Sequence, residues 1–437
     1  MSVVRRSRLL AVACAPPTSK SSALQLLVGN AFIQQSGTGL FSLLPLGQRV
    51  VARLTELIER ELDALGAQKV SLPFLGSKEM WEKSGRWDAM GSELLKCKDR
   101  LGKEFCLQPT AEEMMADIVG SHSLPAPSVY PLMLYQTTPK FRDEMNPRFG
   151  LVRGRMFLMN DLYSFDKTPE LAAESYQRVC DAYGRILRDR LGLQTFKVRA
   201  SSGIHGGTVS HEYHLRNGLE EDAMEVCEGC GTYYKAGEAS GSCCEGAKRR
   251  RVSSIEVAHT FQLGTKYSAA LKAYAGHDRQ PLEMCCFGIG VTRLFAAIVE
   301  QLSRGTTKVK GGAQQGLVHL PVCIQPFDVV VVPSRTFVDS PLLESLLADL
   351  KRRLRTEDRP TPAVLIDDRY ELSLGKRVQQ AQQIGVSRVV VLGKGTSAAR
   401  DDGDAQFEFW SADPMKSEKI AHRGDLTRAE LLQAIAN

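Results

Sequence analysis

The stretch PKFRDEMNPRFGLVRGRMFLMNDLYSF, from Pro139 to Phe165, decides the fold of this chain. Two apolar-and-charged runs flank Asn146-Pro147-Arg148, which is a turn signal, so we predict an antiparallel hairpin. Side chains alternate along a strand, and this alternation places Arg142 and Glu144 on the face opposite Phe141.

The arginines of this hairpin suggest what it binds. Arg142 and Arg153 lie on neighbouring strands where they can converge on one anion, and Phe157 offers a flat ring beside them. Guanidinium groups suit phosphates because their planar fork matches the geometry of the anion. The pattern therefore fits a nucleotide-triphosphate site without a Gly-rich phosphate loop. A surface hairpin with scattered salt bridges is the alternative, and this stretch alone does not decide between them.

The composition is that of a globular protein with more than one core. A chain of 437 residues predicts two to three domains. Its hydrophobic content of 43% and charged content of 24% are ordinary for soluble proteins. No apolar run reaches the length of a membrane span, so no membrane association is predicted. The net charge of +6 permits a polyanionic partner without requiring one.

The N-terminal segment has a different character from the rest. Its first acidic residue is Glu56, whereas Arg5, Arg6 and Arg8 lie among serines and small apolar residues. This composition predicts a mitochondrial transit peptide over residues 1–22 and hence a location in the mitochondrial matrix. A secretory signal is the rival interpretation, but Arg8 leaves it only a short apolar stretch.

Composition and periodicity divide the remaining chain. Residues 305–326 lack apolar periodicity and read as a linker. Beyond them, residues 327–437 alternate strands and helices, which predicts a small, mostly parallel α/β domain. The predicted elements are strand Asp328 to Val332, helix Ser340 to Glu357, strand Ala363 to Ile366, helix Leu374 to Gln383 and strand Arg388 to Leu392.

The region before the linker, residues 23–304, contains the hairpin and is predicted as one domain. Residues 23–66 are expected to be helical apart from the Gly- and Pro-containing GTGLFSLLPLG, and a strand is expected from Gln68 to Leu72. Residues 218–251 change to an acidic and then basic, cysteine-containing composition. We predict an irregular insertion there.

The insertion also carries a candidate metal site. Cys227 and Cys230 have the spacing of a zinc-binding pair, and Cys243 and Cys244 follow. Two well-spaced pairs would indicate a zinc knuckle, but adjacent cysteines form an awkward second pair. Zinc binding and a metal-free remnant of such a site both remain open. Most of the other cysteines lie at apolar positions, which is typical of a reducing compartment.

Several motifs in one order resemble a known family. GLFSLLPLG, SGRW, PTAEE, the hairpin, AHTFQLGTKYS and CFGIGVTR resemble segments of the bacterial and mitochondrial prolyl-tRNA synthetases, which are class II aminoacyl-tRNA synthetases. The resemblance runs from about Ala23 to the C-terminus. It implies an α+β catalytic domain, in which an antiparallel sheet is flanked by helices, followed by a C-terminal α/β anticodon-binding domain. It also implies a homodimer.

The resemblance further implies ATP-dependent ligation of L-proline to tRNA(Pro) through prolyl-adenylate, with ATP bound together with Mg²⁺. Catalytic roles fall on Arg142, Glu144 and Arg293. The ATP-binding positions are Arg142, Glu144, Arg153, Phe157, Gln262, Thr265, Gly288, Gly290 and Arg293.

Proline needs an acceptor for its ammonium group and a small apolar slot for its ring. The matching positions are Thr110, Glu112, Arg142, Met159, Asp161, Tyr163, His259 and Cys286. His259 has no evident partner nearby in sequence, so a structural histidine is the alternative there. Candidate anticodon contacts are Arg369, Lys376 and Arg377, for which a solvated helix face is the alternative.

Two further expectations follow from spacing and motif content. Only about ninety residues separate the hairpin from the next ordered pattern, which leaves no room for a separate editing module with its own core. A non-catalytic accessory subunit would typically have lost the motif arginines, whereas Arg142, Arg153 and Arg293 are all present. A synthetase for another amino acid, such as threonine, is the third possibility; Thr110, Glu112 and the uncharged CFGIG segment favour proline.

Overall fold

A computed structural model describes residues 2–11, 14–122, 129–207, 209–237, 244, 247–275, 280–303, 316–356, 361–397, 405–416 and 418–436. The strands in this part of the chain are β1 Ser2–Arg5, β2 Ile33–Gly37, β3 Leu40–Leu43, β4 Gln68–Lys69, β5 Leu75–Ser77, β6 Lys96–Lys98, β7 Glu104–Leu107, β8 Leu132–Phe141, β9 Met156–Asp166, β10 Thr195–Arg199, β11 Val209–Arg216, β12 Asp222–Cys227, β13 Tyr233–Lys235, β14 Arg249–Gly264, β15 Tyr274–Ala275, β16 Gln280–Pro281, β17 Glu283–Gly290, β18 Val329–Pro333, β19 Ala363–Ile366, β20 Arg388–Leu392, β21 Gln406–Ser411 and β22 Ala421–Thr427. The α-helices are α1 Ser22–Gly29, α2 Pro45–Asp63, α3 Lys78–Lys83, α4 Arg86–Ala89, α5 Glu112–Ser121, α6 Pro169–Gly184, α7 Lys266–Ala270, α8 Val291–Leu302, α9 Pro341–Leu354, α10 Leu374–Gln383, α11 Lys394–Ser397 and α12 Arg428–Ala436.

The chain divides into two compact units. One comprises residues 35–41 and 54–301, and the other comprises residues 1–34, 42–53 and 302–437. The second unit therefore contains N-terminal segments together with the C-terminal α/β region. Among the described residues, no helix is both long and apolar enough to cross a membrane.

A nine-stranded sheet forms the frame of the first unit, in the order β11-β10-β13-β12-β14-β17-β9-β8-β4. Strands β8 and β9 are antiparallel, with Phe141 opposite Met156, which confirms the predicted hairpin. Neither strand reaches Arg142 or Arg153, which lie in the connecting loop and not on neighbouring strands as predicted. Helix α6 packs against β9, β14 and β17. It begins where Thr168 accepts a hydrogen bond from the N–H of Leu171 and Pro169 occupies the first turn.

The described part of the predicted insertion contains paired strands and is not irregular. Strand β12 pairs antiparallel with both β13 and β14, so residues 222–227 and 233–235 belong to the main sheet. Paired strands satisfy their backbone groups even where the side chains are charged, so composition was a poor guide here. The expected strand at Gln68 to Leu72 shortens to the two residues of β4. GTGLFSLLPLG contributes to a two-stranded hairpin of β2 and β3.

The second unit contains a six-stranded sheet in the order β1-β19-β18-β20-β21-β22. Strands β18, β19 and β20 are parallel neighbours, as predicted from the alternation of strands and helices. Strands β21 and β22 add an antiparallel edge. The linker predicted at 305–326 lies mostly outside the described residues, up to position 315.

The N-terminal segment adds an edge strand to this second sheet. β1 pairs in parallel with β19, Val4 opposite Leu365. Arg5 lies 3.0 Å from Asp339, and both the N–H and the hydroxyl of Ser7 donate to Asp368. Residues 2–8 thus have a defined position in this unit.

Candidate functional site

A cavity of about 400 Å³ lies in the first unit. The β8–β9 hairpin, β14, β17, the start of α8 and the loop at residues 201–205 line it. The sequence-predicted residues among its walls are Thr110, Glu112, Arg142, Glu144, Arg153, Phe157, Met159, Asp161, Tyr163, His259, Cys286, Gly288, Gly290 and Arg293. Elements far apart in the chain therefore bring most of the predicted site together.

Arg142 lies in the cavity wall beside an aromatic ring. The guanidinium of Arg142 lies 5.2 Å from the centre of the Phe157 ring. Its Nε is buried, and no group in the described part of the chain accepts a hydrogen bond from it. Burial, and the nearby charge of Arg293, lower the pKa of Arg142. An anion between these two guanidinium groups would offset both effects.

Arg293 is held by backbone rather than by a carboxylate. Its Nε donates to the carbonyl of Val152 at 2.7 Å and its Nη1 to the carbonyl of Glu256 at 3.2 Å. The backbone thus orients this guanidinium without neutralising it. Its positive charge remains available to a ligand in the cavity.

Arg153 is paired with acidic side chains at the cavity rim. Its Nε lies 2.8 Å from Glu144, and its Nη1 lies 3.1 Å from Glu221. Burial alone would raise the pKa of Glu144, but the hydrogen bond and charge of Arg153 lower it. These pairs hold the loop between β8 and β9 in place and keep Glu144 ionised.

A buried carboxylate with several partners also lines the cavity. Glu112 is fully buried, and its Oε2 lies 2.9 Å from Nη1 of Arg86 and accepts a hydrogen bond from the Thr110 hydroxyl at 2.5 Å. Its other oxygen, Oε1, lies 3.2 Å from His205. Burial alone would raise the pKa of Glu112, but the charge of Arg86 and these hydrogen bonds lower it well below its usual range. Glu112 is therefore a carboxylate at neutral pH, aimed at the cavity.

Tyr163 stands beside this carboxylate on β9. Its hydroxyl accepts the N–H of Ala111 at 3.0 Å and donates to Asp161 at 3.0 Å. The second oxygen of Asp161 lies 2.8 Å from Lys140, and both side chains are buried. Asp161 thus fixes the tyrosine and is itself fixed by a lysine that the sequence did not single out.

His259 has two hydrogen-bonding partners, one of which lies only three residues away in the sequence, although none was evident there. Its Nδ1 lies 3.0 Å from Glu256 and its Nε2 lies 2.6 Å from the Ser210 hydroxyl. Its ring stacks on that of Phe261, with 3.9 Å between the ring centres. The ring centre of His205 lies 4.8 Å from that of Phe261. Burial alone would raise the pKa of Glu256, but His259 and Arg293 lower it. The histidine is both a wall of the cavity and an anchor for Glu256.

Two predicted ATP-binding residues, Gln262 and Thr265, are not part of the cavity wall. Phe261 and Cys286, which lie opposite each other on β14 and β17, face the cavity, and Gln262 is the next residue along β14. Because side chains alternate along a strand, Gln262 points to the other face of the sheet. Thr265 follows the bend at Gly264 and precedes α7. The structure therefore places these two residues beside the cavity and not in its wall.

Several wall residues were missed by sequence reasoning. They are His205, Glu212, Asp222, Lys235, Glu256 and Phe261. The period of two along β14 could have indicated Phe261, which lies two residues beyond His259. His205 could not be found in this way, since its position depends on a bend at Gly207, where any side chain would lie 1.8 Å from the carbonyl of Gln262.

The predicted anticodon contacts lie in the second unit and differ in accessibility. Arg377 is buried and donates to the carbonyls of Pro333 and Asp367, so it is committed to the fold. Arg369 pairs with Asp367 and is partly exposed, and Lys376 is exposed at the start of α10. Of these three predicted contacts, Arg369 and Lys376 present charge that an RNA could reach.

Among the predicted metal ligands, Cys243 lies outside the described residues, and the thiols of Cys227, Cys230 and Cys244 lie close together.

Comparison with known proteins gives one consistent family. The tRNA synthetase class II core domain (G, H, P, S and T) matches residues 95–302. The chain is 40% identical over 410 residues to a probable mitochondrial proline--tRNA ligase of Rattus norvegicus, covering 90% of this chain and 81% of the relative. It is 38% identical to the Homo sapiens counterpart with the same coverage of both chains. A bacterial proline--tRNA ligase of Sulfurimonas denitrificans is 35% identical, covering 90% of this chain and 92% of the relative.

Solved structures share the fold at lower identity. The Giardia lamblia prolyl-tRNA synthetase in complex with prolyl-adenylate superimposes with a TM-score of 0.70 at 18% identity, covering 93% of this chain and 73% of that one. The Cryptosporidium parvum prolyl-tRNA synthetase complexed with L-proline and AMP gives 0.70 at 16% identity, covering 96% and 76%.

Proposed function

Since the chain belongs to the proline--tRNA ligases, class II aminoacyl-tRNA synthetases, we propose that it charges tRNA(Pro) for mitochondrial translation through a prolyl-adenylate formed in the cavity described above. The observation that carries this proposal is the arrangement of charges in one cavity. An ionised, buried Glu112 and the guanidinium of Arg142, which lies beside the Phe157 ring, line the same cavity.

Proline binds beside Glu112. Its secondary ammonium donates to Glu112 and to the Thr110 hydroxyl, because a buried cation needs a hydrogen-bonded partner of opposite charge. The ring occupies the space between Met159, Tyr163 and Cys286, all of which line the cavity. An uncharged slot of this kind favours an apolar ring over a side chain with a hydroxyl group, because a buried hydroxyl without a hydrogen-bond partner costs free energy.

ATP binds beside the arginines. Phe157 stacks on adenine, Arg142 holds the α-phosphate together with the proline carboxylate, and Arg153 and Arg293 meet the outer phosphates. The orphaned Nε of Arg142 supports its role, because a buried guanidinium N–H without an acceptor costs free energy until an anion arrives. Glu144 holds Arg153 in position and, in this proposal, helps to fix the adenine.

The first reaction step follows from this placement. A proline carboxylate oxygen attacks the α-phosphorus, the new P–O bond forms as the bond to the β-phosphate oxygen breaks, and pyrophosphate leaves with the electron pair. The carboxylate is already ionised, so no base is needed, and catalysis consists of alignment and charge neutralisation by the arginines. In the second step, the terminal ribose hydroxyl of the tRNA attacks the carbonyl carbon and AMP leaves.

The acidic groups of the cavity fit the Mg²⁺ that accompanies ATP. Oxygen atoms of Glu212 and Glu256 and a nitrogen of His259 lie within 4.8 Å of one another. Carboxylate oxygens are the ligands that Mg²⁺ prefers, so Glu212 and Glu256 would hold it. When bound, the ion would offset phosphate charge.

The remaining assignments concern partners and location. Lys376 and Arg369 present charge for tRNA on the α/β unit, and a homodimer and a matrix location are expected from the family's mitochondrial members. The N-terminal composition, rich in arginine and free of acid up to Glu56, supports import.

The proposed function is tested by ATP–pyrophosphate exchange with each of the twenty amino acids in turn. Proline-dependent exchange, followed by charging of a mitochondrial tRNA(Pro) transcript, is the expected result. Exchange with threonine instead would replace the substrate assignment, and exchange with no amino acid would favour an accessory protein.

A further inference from the structure

A cluster of three cysteine thiols lies at the end of the β12–β13 hairpin. Cys227 is the last residue of β12, Cys230 lies in the turn, and Cys244 comes from the segment before β14. Their sulfur atoms all lie within 4.8 Å of one another. None of these residues contributes to the walls of the active-site cavity.

The backbone holds the first two cysteines in a tight turn. The N–H of Gly231 donates to the carbonyl of Cys227 at 2.9 Å, and the N–H of Cys227 donates to the carbonyl of Thr232 at 2.9 Å. Gly231 has a φ of +74°, a conformation that glycine adopts without strain. A Cys-x-x-Cys-Gly turn closed in this way points both sulfurs to the same side.

The third cysteine is packed directly over this turn. A side-chain carbon at Gly229 would lie 3.3 Å from both Cβ and Sγ of Cys244, so this cysteine lies in close contact with the turn. The N–H of Glu228 also donates to the carbonyl of Lys248 at 2.9 Å, which ties the turn to the segment that follows Cys244. Two backbone segments thus meet so that three sulfurs face one point.

We propose that Cys227, Cys230 and Cys244 bind a structural Zn²⁺ ion. Zinc–sulfur bonds of about 2.3 Å place the sulfurs of a tetrahedral site about 3.8 Å apart. Separations within 4.8 Å reach that value through movements of less than about 1 Å, which side-chain rotation supplies.

An arginine lies beside the hairpin that carries the thiols. Three thiolates and one Zn²⁺ carry a net negative charge; Arg249 is opposite Cys227 in the register of β12 and β14, and its Nη1 lies 3.7 Å from Glu225. Its guanidinium lies 4.4 Å from the centre of the Tyr234 ring and so stays close to the hairpin. The protons of the three thiols leave to solvent when the metal binds, so no redox partner is required.

The metal would fix a hairpin that reaches the active site. Asp222 begins β12 and Lys235 ends β13, and both line the cavity. Lys235 lies 2.5 Å from Glu212. Zinc bound at the other end of the hairpin would therefore fix the positions of Asp222 and Lys235 in the cavity wall.

The test is the zinc content of the full chain, purified under reducing conditions without chelator and measured by mass spectrometry of the metal. We expect about one Zn²⁺ per chain, falling below about 0.1 in Cys227→Ser, Cys230→Ser and Cys244→Ser. Cys97→Ser, at an exposed cysteine on β6, should keep its zinc. Less than about 0.1 Zn²⁺ in the unaltered chain, or full content in any of the three variants, would overturn the proposal.

A second measurement does not depend on the variants folding. Zinc is removed from the unaltered chain and Co²⁺ is added, and the expected result is thiolate-to-cobalt charge-transfer absorption that saturates at about one equivalent. Absence of that band would also overturn the proposal. Neither readout uses enzymatic activity, so its failure would leave the proposed function untouched.

Discussion

Nη1 of Arg86 lies 2.9 Å from Oε2 of Glu112, and both side chains are almost completely buried. The same nitrogen lies 3.2 Å from Glu113. One guanidinium therefore supports two buried carboxylates, of which Glu112 faces the cavity. The charge that we propose receives the substrate ammonium depends on an arginine that does not itself line the cavity.

Replacing Arg86 by Met should destabilise the protein and weaken proline binding. Loss of the guanidinium leaves two buried carboxylates uncompensated, and breaking such a buried pair costs about 3–5 kcal/mol of unfolding free energy. Urea denaturation measures the stability, and exchange kinetics measure the KM for proline. Arg188→Met, at an exposed arginine, is the control. A variant as stable as the control, with an unchanged KM for proline, would show that Arg86 does not support Glu112.

Replacing Phe157 by Leu should raise the KM for ATP and leave the KM for proline unchanged. The ring lies 5.2 Å from the guanidinium of Arg142, and aromatic stacking is worth about 0.5–1.5 kcal/mol, or roughly 2- to 13-fold in affinity. Phe157→Tyr keeps the ring and should retain the affinity. Equal effects of the Leu substitution on both substrates would argue for a packing role instead.

Much of the fold followed from local patterns. The helix Leu374–Gln383 and the strand Arg388–Leu392 were predicted with the bounds that the structure has, because Ser373 caps the helix and the strand is a short apolar run between turns. The hairpin at 139–165 was equally clear from its central turn. The ordered β12–β13 hairpin was missed because its pairing with β14 depends on residues distant in sequence.

The candidate site was predictable where a motif coincides with a strand face. Thr110 and Arg142 lie in the cavity wall, whereas Gln262 follows the wall residue Phe261 along β14 and is not itself part of the wall. Arg86 and His205 could not be assigned from sequence, since their contacts with Glu112 span 26 and 93 positions of the chain. Arg377 was predicted to be accessible because an arginine on a short helix is usually exposed. In the structure its guanidinium donates hydrogen bonds to backbone carbonyls.

His211 predicts a pH dependence of stability. Burial, together with the charges of Lys197, Arg199 and His259, lowers the pKa of His211 to about 4. The unfolded chain has a histidine pKa of about 6.5 and therefore binds more protons than the folded chain between pH values of about 4 and about 6.5. The free energy of unfolding consequently has its full value, as far as His211 is concerned, above a pH of about 6.5, and it decreases as the pH falls toward about 4.

His211→Gln should therefore flatten the fall in stability over that range, measured as urea unfolding free energy at each pH. Asp166 titrates in the same range, because burial raises its pKa to about 6, but it is common to both proteins and cancels in the difference. Parallel pH profiles for the two proteins would contradict the assignment.

Deleting residues 1–20 should block import and leave proline activation intact. The deletion keeps Ser21, which accepts a hydrogen bond from Leu24 at the start of α1, but it removes β1 from the edge of the second sheet. We therefore expect a lower melting temperature with unchanged pyrophosphate exchange. Import into isolated mitochondria is the second measurement, and normal import of the truncated chain would refute the transit prediction.

The most direct test of the central claim is proline-dependent ATP–pyrophosphate exchange in Arg142→Ala, with Arg188→Ala as the matched surface control. Arg142 is proposed to hold the carboxylate and the α-phosphate together, and loss of such an electrostatic contact typically costs about 10²- to 10³-fold in rate. We predict a loss of at least about 10²-fold in Arg142→Ala, with unchanged melting temperature, and full exchange in the control. Exchange by Arg142→Ala at the rate of the unaltered chain would contradict the account.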